Sequence, residues 1–238
     1  MATRVFEKMQ VNTRLFASAR ARFTSRRVDR AARRFLNISV ALIGIIITLP
    51  VMLLIAALVK ITTRGSVLYK QTRVGVDRRG SRTMGDNWRR AGNVGGKPFT
   101  IYKFRTMSEQ PAAAQVWASP DDQRITSLGS VLRKFRLDEL PQLFNVLKGD
   151  MNVVGPRPEQ PDIFAHLRSK IDYYPHRQQV LPGITGWAQI NLSYDRSLDD
   201  VRRKVALDLE YIRRQSAVED AKIMLRTLPV MLGRKGGW

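Results

Sequence analysis

The hydrophobic pattern is dominated by one uncharged run, Phe35 to Val59, closed by Arg33 and Arg34 on one side and Lys60 on the other. Its 25 residues exceed the ~20 that span a ~30 Å hydrocarbon layer as a helix. Pro50 lies within it, lacking an amide donor and crowding the preceding turn, so a kink is predicted there. Beyond the run, Val67 to Val74 and Phe99 to Arg105 read as short strands that can pair as a hairpin. The Gly- and Arg-rich stretch between them, Gly75 to Lys97, reads as a solvated loop. From Gln123 onward the spacing turns helical, with helices predicted near Leu128–Phe135, Pro141–Leu147, Glu159–Tyr173, Leu198–Arg214 and Val218–Leu232. In the fourth, Val201, Val205, Leu209 and Ile212 mark one apolar face. The last sets Ile223, Met224, Leu228 and Met231 beside Lys222, Arg226, Arg234 and Lys235, a pattern that suits the lipid headgroup layer or an ordinary core helix equally, with Pro229 distorting either. The fold class predicted is α+β, mainly helical.

Charge places the apolar run in context. Lys and Arg number 41 against 20 Asp and Glu in 238 residues, a net charge of +21, which points to a polyanionic partner: nucleic acid, acidic lipid headgroups or phosphorylated substrates. Residues 1–34 carry ten basic and two acidic side chains and residues 60–105 twelve and two, so the excess flanks the run. Both flanks satisfy the cytoplasmic side of the positive-inside rule, and a straight crossing would strand one of them outside. The expectation is therefore a re-entrant helix that enters the inner leaflet, turns near Pro50 and returns, with Thr48 or Ser39 hydroxyls serving the backbone at the bend; a tilted, kinked single span is the alternative. The run is too long for a secretory signal core and is expected to persist in the mature chain. The basic leader is expected to bind acidic lipids of the inner leaflet. Three segments follow: a leader at 1–32, the membrane helix at 33–60 and a cytoplasmic domain at 61–238. The chain has no cysteine, which excludes disulfide scaffolds, thiolate zinc sites and cysteine nucleophiles.

No Walker loop or dinucleotide glycine fingerprint is present, and His166 and His176 have no metal-pair spacing. The informative stretch is the nearly neutral one, where Asp138 and Glu139 precede Pro141. Proline suits a first helical turn, so both carboxylates should lie at or just before a helix N-terminus and stay ionised. Such oxygens can attack phosphorus or hold Mg²⁺; equally, Asp138 can simply cap the helix. Gly155-Pro156-Arg157-Pro158 stiffens the backbone on both sides of one arginine, presenting a fork suited to phosphate or forming a rigid turn. Lys103 and Arg105 share one face of the second strand, as a second phosphate clamp or as ordinary edge protection. Trp187, between glycine turns, is either a ring platform or a core residue.

Taken together, Tyr102-Lys103-Phe104-Arg105-Thr106-Met107, Leu137-Asp138-Glu139-Leu140-Pro141-Gln142-Leu143, Gly149-Asp150-Met151, Val154-Gly155-Pro156-Arg157-Pro158 and Pro182-Gly183-Ile184-Thr185-Gly186-Trp187 resemble, in order, the bacterial sugar transferase family. These are the small monotopic phosphoglycosyl transferases that start exopolysaccharide and glycan assembly on polyprenyl phosphate. The resemblance runs from about Arg33 to the C-terminus, and the family carries a re-entrant N-terminal helix. It implies transfer of a sugar 1-phosphate from a UDP-sugar to undecaprenyl phosphate with release of UMP, the sugar being galactose or glucose by family habit. It also implies Asp138 as the nucleophile of a covalent phosphosugar intermediate, and Glu139, with Asp138, as ligands of Mg²⁺. Lys103, Arg105, Arg133 and Arg157 then clamp phosphate oxygens, and Trp187 contacts substrate. The expected site of action is the cytoplasmic face of the bacterial inner membrane, with homo-oligomerisation left open. Direct single-step transfer is the alternative chemistry. A membrane-tethered nucleic-acid or acidic-polymer binder is disfavoured, because no recognised binding module is present and the charge clusters about the apolar run; no nucleic-acid partner is expected.

Overall fold

A computed structural model describes residues 2–77, 95–108, 122–192 and 197–232, with side chains described for residues 27–230 of these. The basic leader and the apolar run form one helix, α1 (Ala2–Thr62), unbroken through Pro50. Thr48 donates its hydroxyl to the Gly44 carbonyl at 2.7 Å, not to the Ile46 carbonyl that a proline four residues on cannot serve. Among the described residues one helical stretch, Arg27–Thr62, is long and apolar enough to cross a membrane. One flank of it is buried: Met52, Ile55 and Val59 pack with Phe104 and Leu132, and Ala41 packs in the central core with Val146, Met151 and Val154. The other flank, with Phe35, Ile46, Ile47, Leu53, Leu54 and Ile61, is exposed.

Polar contacts tie both ends of the apolar stretch to the same globular unit. At the first, Arg33 donates to Asp220 Oδ2 and to the Tyr211 hydroxyl, each at 2.8 Å, and Arg34 donates to the carbonyls of Val146 and Leu147. Buried Asn37 accepts from the Val153 amide one turn later. At the second, Arg105 donates to the carbonyls of Thr63 and Arg64 and to the Thr63 hydroxyl, satisfying backbone acceptors that the end of a helix leaves without partners.

The expected hairpin is present. β1 (Leu68–Val74) pairs antiparallel with β2 (Pro98–Phe104), Leu68 facing Phe104 and Val74 facing Pro98. Most of the intervening stretch lies outside the described residues. Strand alternation sends Phe99 and Ile101 into the central core and Phe104 into the cluster against α1. Next come α2 (Ser127–Lys134), capped by Thr126 Oγ1 accepting from the Gly129 amide, and α3 (Gln142–Lys148), closed by Gly149 at φ 83°, a left-handed conformation that costs glycine little. From α3, fully buried Asn145 reaches the free edge of β2, accepting from the Tyr102 amide at 3.1 Å and donating to the Thr100 carbonyl at 2.7 Å. Its carboxamide takes the place of a third strand.

A second, parallel pair joins β3 (Asn152–Val154) to β4 (Gly183–Thr185). Gly155 and Gly183 approach so closely there that a Cβ on either would collide with the other segment's backbone. This pair is not visible in the hydrophobic pattern, since three-residue strands leave no periodicity. The helix predicted over Glu159–Tyr173 is shorter: α4 runs Pro161–Arg168, and Tyr173 at φ 61° starts a 3₁₀ segment, Tyr174–Gln179. Then follow α5 (Trp187–Asn191), α6 (Leu198–Arg214), opened by a Ser197/Asp200 capping box and bounded as predicted, and α7 (Ala217–Leu232), which runs through Pro229. Val201 and Val205 of α6 are buried with Phe164, Leu167 and Tyr174. Ile223 fixes α7 to the central core, while its Val218, Leu225 and Leu228 are exposed.

Asn145→Ala leaves the Tyr102 amide and the Thr100 carbonyl of β2 without their side-chain partner, a loss of ~0.5–1.5 kcal/mol for each hydrogen bond. It is expected to lower stability by about 1–3 kcal/mol in chemical denaturation. Asn145→Asp keeps the acceptor for Tyr102 but when ionised turns an oxygen on the Thr100 carbonyl in a fully buried position, so it costs at least as much at neutral pH and less where its carboxyl is protonated; losses independent of pH would remove the strand-mimic role.

Candidate active site

Arg136 sets up the centre. It follows α2 in the left-handed region at φ 54°, a conformation costing a non-glycine residue of order 1 kcal/mol, and it turns the chain into a short 3₁₀ segment, Leu137–Glu139. Asp138 and Glu139 therefore stand side by side one turn before α3, both buried. Arg136 and Pro141 occupy the cap positions of the two helical segments, so Asp138 caps neither.

The two carboxylates have different surroundings. Glu139 Oε1 receives Lys103 Nζ at 2.7 Å and Arg157 Nη2 at 2.8 Å, and Arg136 Nη1 lies 3.7 Å from Oε2. Asp138 Oδ2 stands 3.9 Å from the same lysine nitrogen. Burial alone would raise both acids. For Glu139 the surrounding Arg157, Lys103 and Arg136 overcome it and hold the carboxyl well below its usual range. For Asp138 burial prevails, helped by the like charge of Glu139 against the opposing pull of Lys103, and its pKa is raised. Glu139 thus stays ionised as expected, while Asp138 departs upward, because desolvation outweighs any benefit from the following helix. Burial also lowers Lys103.

The other residues singled out in the sequence divide. Arg133 donates through Nε to the Thr106 hydroxyl at 3.0 Å and contributes to the field at Asp138. Arg105 lies just past the end of β2, buried, and binds the end of α1, so the pairing of Lys103 with Arg105 as one clamp is not what the fold builds. Trp187 sits at the junction of α5, α6 and α7, with Arg214 4.2 Å and Arg226 5.6 Å from its ring centre and its indole N–H donating to Glu210. Its place is an interhelical cation–π contact apart from the carboxylates. Arg136 joins the centre without having been picked out; only its position beside the acidic pair hinted at it.

Among the described residues no three His, Asp or Glu side chains gather as a cation cage. Mg²⁺ is usually held by one or two carboxylates with water and substrate phosphates completing the shell; here the less engaged carboxylate oxygens are those of Asp138, while those of Glu139 already face Lys103, Arg136 and Arg157.

Removing the Glu139 charge takes a like charge from Asp138 and leaves it facing Lys103, Arg133 and Arg157. In Glu139→Gln, Asp138 should titrate at lower pH than in the unaltered chain, read by carboxyl ¹³C NMR; an upward move would contradict the electrostatic account.

Comparison with known proteins places this geometry. The UDP-N-acetylgalactosamine-undecaprenyl-phosphate N-acetylgalactosaminephosphotransferase of Aeromonas hydrophila is 40% identical over 203 residues, 84% of this chain and 43% of that protein. The UDP-glucose:undecaprenyl-phosphate glucose-1-phosphate transferase of Escherichia coli K12 is 38% identical over 204 residues, 84% of this chain and 40% of the relative. That of Caulobacter vibrioides is 36% identical over 205 residues, 84% and 69% respectively. The chain spans about two fifths of the length of the first two relatives. Residues 28–234 match the family model described as bacterial sugar transferase, so with the paired carboxylates, the hairpin lysine and the Pro-flanked arginine all inside that span, the chain belongs to the bacterial sugar transferase family.

Proposed function

We propose that this chain moves a sugar 1-phosphate from a UDP-sugar to undecaprenyl phosphate and releases UMP, with Asp138 carrying the phosphosugar between the two substrates. The observation that carries this reading is the asymmetry of the acidic pair. Glu139 has its oxygens engaged by three cations, whereas Asp138 makes only the longer contact to Lys103 among the ion pairs described. A carboxylate whose lone pairs are not tied up, in a partly desolvated position, is the better nucleophile. An Asp138 oxygen attacks the sugar-bearing phosphorus, the bridging P–O bond breaks, and UMP departs with that oxygen. A phosphate oxygen of the lipid then attacks the same phosphorus and releases the carboxylate. Two steps avoid bringing two highly charged phosphates together while the nucleotide is still attached.

Lys103 and Arg157 are the cations best placed to receive diphosphate oxygens, and phosphate gives them an alternative acceptor to Glu139. Arg133 adds positive field near Asp138. Asp138 and Glu139 would hold Mg²⁺, which when bound supplies neutralising charge for the diphosphate. The sugar is glucose, galactose or N-acetylgalactosamine; two of these are the substrates in the names of the relatives.

The same reading places the chain on the cytoplasmic face of the inner membrane. Arg33 and Arg34 at one end of the apolar stretch, and Thr63 and Arg64 at the other, are bound by one globular unit, while the opposite flank of the helix is bare and apolar. That arrangement favours a helix immersed in one leaflet with both ends at the same surface over a crossing that would drag the polar unit into hydrocarbon. With α1 continuous through Pro50, shallow immersion replaces a sharp reversal as the form of re-entry.

Asp138→Asn is expected to lower turnover by at least ~10³-fold and to abolish exchange of label between UMP and the UDP-sugar in the absence of lipid acceptor. Exchange that persists in the variant, or is absent from active unaltered protein, favours single-step transfer. The chain has no cysteine, so Arg30→Cys and Ile61→Cys can each be labelled alone in spheroplasts and inverted vesicles. Both should react only from the cytoplasmic side; labelling from opposite sides would establish a crossing.

A further inference from the structure

The loop that presents Arg157 has an unusual backbone. Pro156 and Pro158 have no amide hydrogen, so the segment can be fastened mainly through its carbonyls. Four consecutive carbonyls have donors. Pro156 O accepts from the Gly183 amide at 3.0 Å and Glu159 O from the Val74 amide at 2.9 Å. Between them, Arg157 O accepts from Arg177 Nη2 and Pro158 O from Arg73 Nη1, each at 3.1 Å. The two middle donors are guanidiniums from outside the loop, and the one on the carbonyl of Arg157 itself belongs to Arg177.

Arg177 is almost wholly buried, at 5% exposure, and is held from behind. Its Nε donates to Asp208 Oδ2 at 2.6 Å, its Nη1 to the Tyr174 hydroxyl at 2.9 Å, and Glu159 Oε1 lies 3.6 Å from Nη1. Asp208, 2% exposed, projects from α6. Lys204, one turn earlier on α6, holds Glu159 at 3.0 Å. A chain of charge-assisted bonds therefore runs from α6 through Asp208 and Arg177 to the main chain of Arg157, whose own guanidinium binds Glu139. A buried pair of this kind adds little stability over an apolar pair of similar volume, but it fixes direction as an apolar pair cannot.

We propose that Arg177, anchored by Asp208, is a positioning residue that acts through Arg157, holding its carbonyl so that the guanidinium meets the acidic pair and the incoming diphosphate. The proposal rests on the sugar-phosphate transfer proposed above for its kinetic consequence, though not for the placement of the loop. Arg177 touches no reacting atom.

The test is a mutant cycle on the full chain in detergent or lipid. Arg177→Met with Asp208→Leu replaces the ion pair by apolar side chains, and Arg157→Ala removes the group positioned. UMP release from UDP-glucose, UDP-galactose and UDP-N-acetylgalactosamine with undecaprenyl phosphate gives kcat/KM, melting gives stability, and hydrogen exchange reports the peptide holding the Gly155, Arg157 and Glu159 amides. Expected are an unchanged melting temperature, kcat/KM lower by about tenfold or more, and faster exchange in that peptide. In the Arg157→Ala background the same pair should cost less than about twofold further, since groups acting as one unit are not additive. Losses that multiply, or exchange that does not change, overturn the proposal. Should the apolar pair unfold the chain, Arg177→Lys, which keeps the charge beside Asp208 but loses the fork, is carried through the same cycle with the same criteria. Should the unaltered chain turn over none of the three sugar nucleotides, the transfer reading falls, and hydrogen exchange alone decides the positioning: faster exchange upholds it and unchanged exchange rejects it.

Discussion

Two acids adjacent in sequence and buried together repel, and each loses hydration; the centre exists because the fold brings three cations to one of them. Lys103 arrives from the hairpin, Arg157 from the Pro-flanked loop and Arg136 from the turn beside Glu139 itself. Uneven distribution separates the two acids chemically: one is fixed as an anion, the other is left with a raised pKa and less engaged oxygens. The difference between the adjacent carboxylates thus depends on where the cations sit, and the cations sit where β2, the turn after α2 and the β3–β4 pair hold their backbones.

That dependence explains the arrangement of the core. Phe99 and Ile101 face the central cluster on the same side of β2 as Lys103, so burial of the strand directs the ammonium to Glu139. Gly155 and Gly183, pressed together, set the start of the Arg157 loop against β4. The long helix contributes packing on one flank and polar ties at each end, so helix and globular unit form one body.

Much of this was legible in the residues. The uncharged run, the hairpin, α6 to the residue and the other main helices follow from periodicity and charge, since each has enough length for a pattern to show. The parallel pair of three-residue strands and the left-handed turn at Tyr173 have no such length, and so the helix expected to reach Tyr173 stops at Arg168. At the site, Asp138, Glu139, Lys103 and Arg157 converge. Arg105 and Trp187 do not, because cationic and aromatic side chains serve helix ends and interhelical contacts as readily as substrates, and spacing cannot distinguish the uses. Arg136 and Arg177 were hidden for a related reason: their partners are Glu139 in one case and a main-chain carbonyl in the other, and contacts of that kind leave no motif.

The carboxamide of Asn145 against the outer edge of β2 has a consequence away from chemistry. A two-stranded ribbon ordinarily leaves a row of open amides and carbonyls along its outer side, an invitation to a foreign strand. Here that row is stopped midway by a side chain from α3. Along β2 the protein therefore offers a foreign strand no continuous ladder to extend, and pairing at that edge is blocked at its centre.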